Sequence, residues 1–127
     1  MYSFLSVDDF KNTNLKILEN HNDIDIIFLF SHKIKESELD RLKSVVKNCS
    51  NKIKYIDFHM FNIDKYVNVI IDTFNIDRIP VFLFYVKGKY EIKYSGPITY
   101  DDVICNILYF SDFFGCSNLQ LRKFVNN

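Results

Sequence analysis

Residues 74–96 read FNIDRIPVFLFYVKGKYEIKYSG, and the reading of this stretch decides the fold. A helical pattern ends at Phe74 and runs into Ile79-Pro80. Pro80 opens an apolar run from Val81 to Val86, and Lys87-Gly88 turns the chain back along Tyr90 to Tyr94, closing on Ser95-Gly96-Pro97. Proline lacks an N–H and fixes φ, so it belongs at the first residue of a strand or in a tight turn. An Ile-Pro bond is also one of the few places where a cis peptide is tolerated. Gly88 suits the positive φ of a hairpin turn. Taken alone, the stretch is a hairpin in an α/β domain.

Working outward, Tyr2 to Val7 reads as a first strand, and Asp8 as the cap of a helix from Asp9 to about Asn20. Ile24 to Phe30, IDIIFLF, is nearly all apolar, as expected of a central strand covered on both faces. A helix follows, with Leu39, Leu42, Val45 or Val46, and Cys49 on one stripe. Ser31 and Ser37 are both candidate caps for it, the latter with Asp40 three residues on. Ile53 to about Phe61 reads as a third strand. Asn62-Ile63-Asp64 then leads into a helix carrying Tyr66, Val67, Ile70, Ile71 and Phe74. Thr99 caps a last helix whose buried face is Val103, Ile104, Ile107 and Leu108. Residues 1–110 form one domain. Residues 111–127 form an extension, expected to pack on it or to mediate contacts. The order β-α-β-α-β-α-β-β-α predicts an α/β fold whose crossovers set strands parallel and whose final hairpin is antiparallel.

Composition narrows the function classes. A chain of 127 residues with 48% hydrophobic residues builds one well-filled core rather than a disordered segment. The net charge is zero and no long single-sign run occurs, which argues against nucleic acid or an anionic membrane as partner. The N-terminus MYSFLSVDDF has no basic region, long apolar segment or small-residue cleavage site, so a cytoplasmic protein is expected. Ala and Trp are absent while Asn, Lys, Ile, Phe and Tyr abound, a bias that points to an AT-rich genome such as that of a large DNA virus or an AT-biased protist. The three cysteines, Cys49, Cys105 and Cys116, fit neither a disulfide framework nor a zinc pattern. Each reads as a small buried hydrophobe, Cys105 buried or half-buried between Ile104 and Ile107, with Cys116 the one thiol expected at the surface. No cofactor or metal is implied.

The chain resembles the thioredoxin-like family over about residues 2–110. The resemblance rests on Ile76-Asp77-Arg78-Ile79-Pro80, the apolar run Val81 to Val86, Gly88 in the turn, Gly96 before the last helix, and the Asn62-Ile63-Asp64 step. It implies a three-layer sandwich with a mixed sheet of about five strands and helices on both faces. It further implies a cis Pro80, backbone pairing of an extended peptide beside Ile79 and Pro80, and a far groove wall at Ser95 and Gly96. The family's Cys-Xaa-Xaa-Cys is absent. Its place falls on His32, Lys33, Ile34 and Lys35 within SHKIKES, and the buried acid of the preceding strand is replaced by Ile26 or Ile27. Thiol–disulfide exchange needs an attacking thiolate and a resolving partner, and neither stands there.

His32 has no carboxylate or second ligand nearby in sequence, and a helix N-terminus disfavours imidazolium, so it reads as an exposed, non-catalytic residue. Lys33 and Lys35 read as a solvated face. His59, between Phe58 and Met60, reads as a strand residue with a local hydrogen bond. The readings that follow are a redox-inactive module binding a protein or extended peptide, a thiol-dependent protein using Cys116 alone, and a structural subunit of a larger assembly such as a virion. A homo-oligomer is a possible state of the chain, and stable homo-oligomer or partner association would separate the last reading from a free adaptor.

Overall fold

The computed structural model describes residues 2–4, 24–54 and 56–114, with side-chain surroundings from residue 24 onward. The helix expected over residues 9–20 and the segment 115–127, including Cys116, lie outside the described residues. Five strands form one sheet in the order β1-β3-β2-β4-β5. They are β1 (Tyr2–Phe4), β2 (Ile24–Phe30), β3 (Ile56–Asn62), β4 (Val81–Val86) and β5 (Lys89–Tyr94). The helices are α1 (Glu36–Lys52), α2 (Val67–Phe74, after a short 3-10 turn at Asp64–Tyr66) and α3 (Tyr100–Phe113). Strands β1, β3 and β2 run parallel, and β4 and β5 continue the sheet antiparallel. The last helix runs to Phe113, past residue 110.

β2 is the axis of the sheet, paired with β3 on one side and β4 on the other, and all of its residues are buried. Side chains alternate across a strand. Ile24, Ile26, Phe28 and Phe30 therefore pack with Leu42, Val46 and Cys49 of α1 and with Val103, Ile107 and Phe110 of α3. Ile27 and Leu29 face the other way, onto Ile70 and Phe74 of α2, Ile76, Val81 and Leu83. Helices on both faces explain why the strand has no polar alternation. Each fully buried Ile or Phe contributes roughly 1.5–3 kcal/mol.

The helix ends show which sequence signals operate. Thr99 caps α3, its hydroxyl accepting from the Asp102 N–H at 3.1 Å. Neither predicted cap opens α1: Lys35 holds the N-cap position with extended backbone and no side-chain bond, and the Ser31 hydroxyl accepts from the Lys33 N–H instead. Glu36 and Glu38 in the first turn and Lys52 in the last complement the helix dipole. α2 ends on Asn75 in the left-handed region, φ 53°, a conformation Asn tolerates. The Lys93 ammonium donates to the Phe74 and Asn75 carbonyls there, tying β5 to α2. Lys87 and Gly88 both have positive φ, as a two-residue hairpin turn requires. A bulge follows: Phe84 opposes Ile92 and Tyr85 opposes Tyr90, so Glu91 is left over in the pairing.

One side chain in β2 breaks the apolar pattern. Asp25 is fully buried, and its Oδ1 lies 2.9 Å from Nε2 of His59, itself buried in β3. Its Oδ2 has no partner among the described residues. The strand thus does hold a buried acid, one residue ahead of Ile26 and so, by alternation, on the opposite face from α1. This bond of His59 is long-range. Removing one member of a buried polar pair strands the other, whereas replacing both with apolar residues is often neutral or better. His59→Leu is therefore expected to cost on the order of 3 kcal/mol in urea unfolding, and Asp25→Leu/His59→Leu to recover most of that loss.

Candidate groove at Ile79-Pro80

The site forms where β2, β3 and the approach to β4 end together. The Ile63 N–H donates to the Phe30 carbonyl at 2.9 Å, which joins the ends of β2 and β3. Beyond Phe30, the segment Ser31–Lys35 turns into α1, held by the Ile34 N–H on the Ser31 carbonyl at 3.2 Å. Its outer side is latched to Asp64. The His32 backbone N–H donates to both Asp64 carboxylate oxygens at 3.2 and 3.1 Å, and His32 Nδ1 lies 3.0 Å from Oδ1. Asp64 is oriented in turn by its own N–H, which donates to Asn62 Oδ1 at 2.8 Å. Sequence reading left His32 without a carboxylate; the fold supplies one across the sheet end, from the Asn62-Ile63-Asp64 step that carried part of the resemblance. Partial burial works against the Asp64 carboxylate, but the His32 hydrogen bonds outweigh it and hold the carboxyl below the usual range.

Opposite this latch lies the Ile79–Pro80 peptide bond, which is cis. Two clefts flank Ile79. One, of about 330 Å³, is lined by Phe30, Ser31, Lys33, Ile34, Lys35, Glu38, Ile79 and Pro80. The other, of about 460 Å³, has an aliphatic floor of Ile63, Val67, Ile71, Ile76 and Ile79, with His32, Asp64, Asp77 and Arg78 at its rim. Lys33 and Lys35 outnumber Glu38 in the first cleft, whereas Lys33 and Arg78 are balanced by Asp64 and Asp77 in the second, so neither carries a strong field of one sign. The described residues form no hydrogen bond to the Ile79 N–H or C=O.

The fold thus brings Ile79 and Pro80 together with Lys33, Ile34 and Lys35, and places His32 on the adjoining cleft. Ser95 and Gly96 line neither cleft. Beside Gly96 stands Tyr94, the last residue of β5. Its hydroxyl donates to the Pro97 carbonyl at 2.7 Å, and its ring stacks on Phe82 at 4.8 Å between centroids. Desolvation, with a smaller contribution from the Asp102 carboxylate, pushes the phenol above its ordinary range, so it stays a donor.

The thiols lie elsewhere. Cys49 is buried in α1, and desolvation pushes it up to about 12. Cys105 is exposed, contrary to the expectation that Ile104 and Ile107 would enclose it. Val103, Ile104, Ile107 and Phe110 take the inner face of α3, and position 105 turns outward with Asp101 and Tyr109. Neither thiol lines a cleft. No group of three metal-ligating side chains is present among the described residues, and no helix there is long and apolar enough to cross a membrane.

Two outcomes follow from this geometry. A maleimide reagent at neutral pH should modify Cys105 in the folded protein and Cys49 only after unfolding, as peptide mapping would show. For Asp64, a folded value below the unfolded one means that the latch contributes above the usual carboxylate range near pH 4 and is lost as pH falls through the folded value. The protection factor of the His32 amide, its exchange rate compared with that of an unstructured chain at the same pH, should therefore be highest near neutrality and fall in that acid window. Asp64→Ala should remove the protection throughout.

Comparison with known proteins places this arrangement. No protein-family model and no curated protein matches the chain. Solved structures do. The chain is similar to thioredoxin f2 of Chlamydomonas reinhardtii at 14% identity and a TM-score of 0.66, over 87% of this chain and 96% of that one. It is similar to oxidised thioredoxin of Plasmodium falciparum at 16% identity and a TM-score of 0.64, over 87% of this chain and 98% of that one. A third likeness is to the thioredoxin Mala s 13 of Malassezia sympodialis, at 15% identity and a TM-score of 0.61, over 86% and 89% of the two chains. Likeness at such low identity speaks to architecture, and on that footing the chain has a thioredoxin-like fold.

Proposed function

We propose that this chain is a redox-inactive thioredoxin-like protein that binds an extended protein segment in the groove at Ile79-Pro80, as an interaction or scaffold module. The observation that carries this reading is the backbone of Ile79. It is half-buried, unpaired by the described residues, and flanked by two clefts able to take alternate side chains of a strand laid against it. The residues facing it, His32 to Lys35, include no nucleophilic sulfur, and exchange with a disulfide cannot begin without one. A strand added here gains main-chain hydrogen bonds plus an apolar anchor in the aliphatic cleft. The partner expected is therefore protein.

A thiol-dependent role through Cys116 requires that cysteine to react ahead of the exposed Cys105, and predicts that Cys116→Ser abolishes activity. The groove reading makes a different demand. The purified protein should reduce insulin no faster than dithiothreitol alone. Peptides selected from a random heptapeptide library should shift the amide resonances of Ile76 and Ile79. Ile79→Asp should weaken their binding about tenfold, or about 1.4 kcal/mol. Insulin reduction at the rate of a dithiol enzyme would sink the proposal.

A further inference from the structure

Resting on the groove reading above, we infer that Tyr94 is a specificity-determining residue that closes the Gly96 end of the groove and confines a bound peptide to the two clefts beside Ile79. Phe82 pairs with Tyr94 across the β4–β5 ladder. Continuing that antiparallel register two residues outward sets Gly96 across from Pro80. The strip between them is where a peptide crossing Pro80 would leave the groove. Tyr94 fills it. A Cβ built on Gly96 would lie 2.5 Å from the Tyr94 hydroxyl oxygen, 2.7 Å from Cζ and 2.9 Å from Cε1. The phenol therefore occupies the space a side chain at position 96 would need, and the glycine serves to admit the ring of its own hairpin.

The ring is held there from two directions. It stacks on Phe82 at an interplanar angle of 28°, and its hydroxyl is bonded to the Pro97 carbonyl. The loop it covers is fixed again from α1, where Arg41 Nη1 donates to the Ile98 carbonyl at 2.8 Å, and Ile98 is buried. Moving Tyr94 aside means losing the stack and the hydrogen bond together. The consequence is visible in the linings: Ile79 and Pro80 border open clefts toward Ser31–Lys35 and toward α2, while Ser95 and Gly96 border neither. Selectivity then falls on the side chains that enter the clefts beside Ile79, and residues beyond Pro80 go unread.

The test uses the full chain, labelled with 15N, and a heptapeptide selected from a random phage library on the wild-type protein. The same peptide is titrated into wild type, Tyr94→Leu and Tyr94→Phe. Leu keeps apolar contact with Phe82 but is too short to reach Gly96, and Phe keeps the ring while losing only the Pro97 bond. The expected result is a wild-type footprint on Ser31, Ile76 and Ile79 with Ser95 and Gly96 unmoved, the same footprint in Tyr94→Phe, and its extension to Ser95 and Gly96 in Tyr94→Leu. Equal shifts at Gly96 and Ile79 in the wild type would overturn the inference while leaving the groove in place. So would a Tyr94→Leu footprint that stops at Pro80. If no selected peptide moves Ile79 in any of the three proteins, the groove reading itself fails, and the role of Tyr94 falls with it.

Discussion

Burial of β2 on both faces is the constraint from which the remaining structure follows. A strand reading IDIIFLF has no side that water can wet, so it forms only with hydrogen-bonded neighbours at both edges and helices above and below. The crossover through α1 brings β3 alongside in parallel, and the hairpin returns β4 on the other edge. Asp25, the second residue of this strand, is an expense the fold must offset, which it does in part through His59. The apolar side chains that enclose the pair are the same ones that hold the sheet together.

The groove is a by-product of where these elements stop. Backbone at the end of β2 passes to Ser31–Lys35, backbone at the end of β3 passes to Asp64, and the approach to β4 passes through Ile79 and Pro80. Three chain segments thus meet at one sheet end, the usual location for ligand sites in α/β architecture. In this protein the helix start that faces Ile79 is occupied by His32 and two lysines, and the Asp64 latch fixes its shape. Among the described residues no thiol lines either cleft, and the recognition role proposed above builds on that. A likeness of fold does not carry an activity with it, so the function rests on these particular residues.

Much of the fold was legible because its signals are local and periodic: the apolar run of β2, the Thr99 cap, the Lys87-Gly88 turn and the Pro at the head of β4. What escaped was produced by tertiary proximity. Asp25 and His59 lie on different strands, and nothing in their spacing announces that a parallel register sets them diagonally across. Asp64 reaches His32 only because the ends of β2 and β3 coincide. Cys105 was misjudged because flanking isoleucines suggest burial, whereas helical geometry turns a residue about 100° from its neighbour. Nothing in the spacing of Tyr94 announces its contact with Gly96, which depends on how the loop after β5 turns back over the ring.

The bulge in β5 has a further consequence, for the behaviour of the protein at high concentration. β5 is an edge of the sheet, and an edge strand is a template onto which another chain can add. A protein with no net charge has little long-range repulsion to keep its copies apart. Lys89, Glu91 and Lys93 place charge along that edge, and the irregularity at Glu91 breaks the straight run of donors and acceptors. At this edge, therefore, the hairpin carries both charge and a break in the ladder, each of which works against self-assembly through β5.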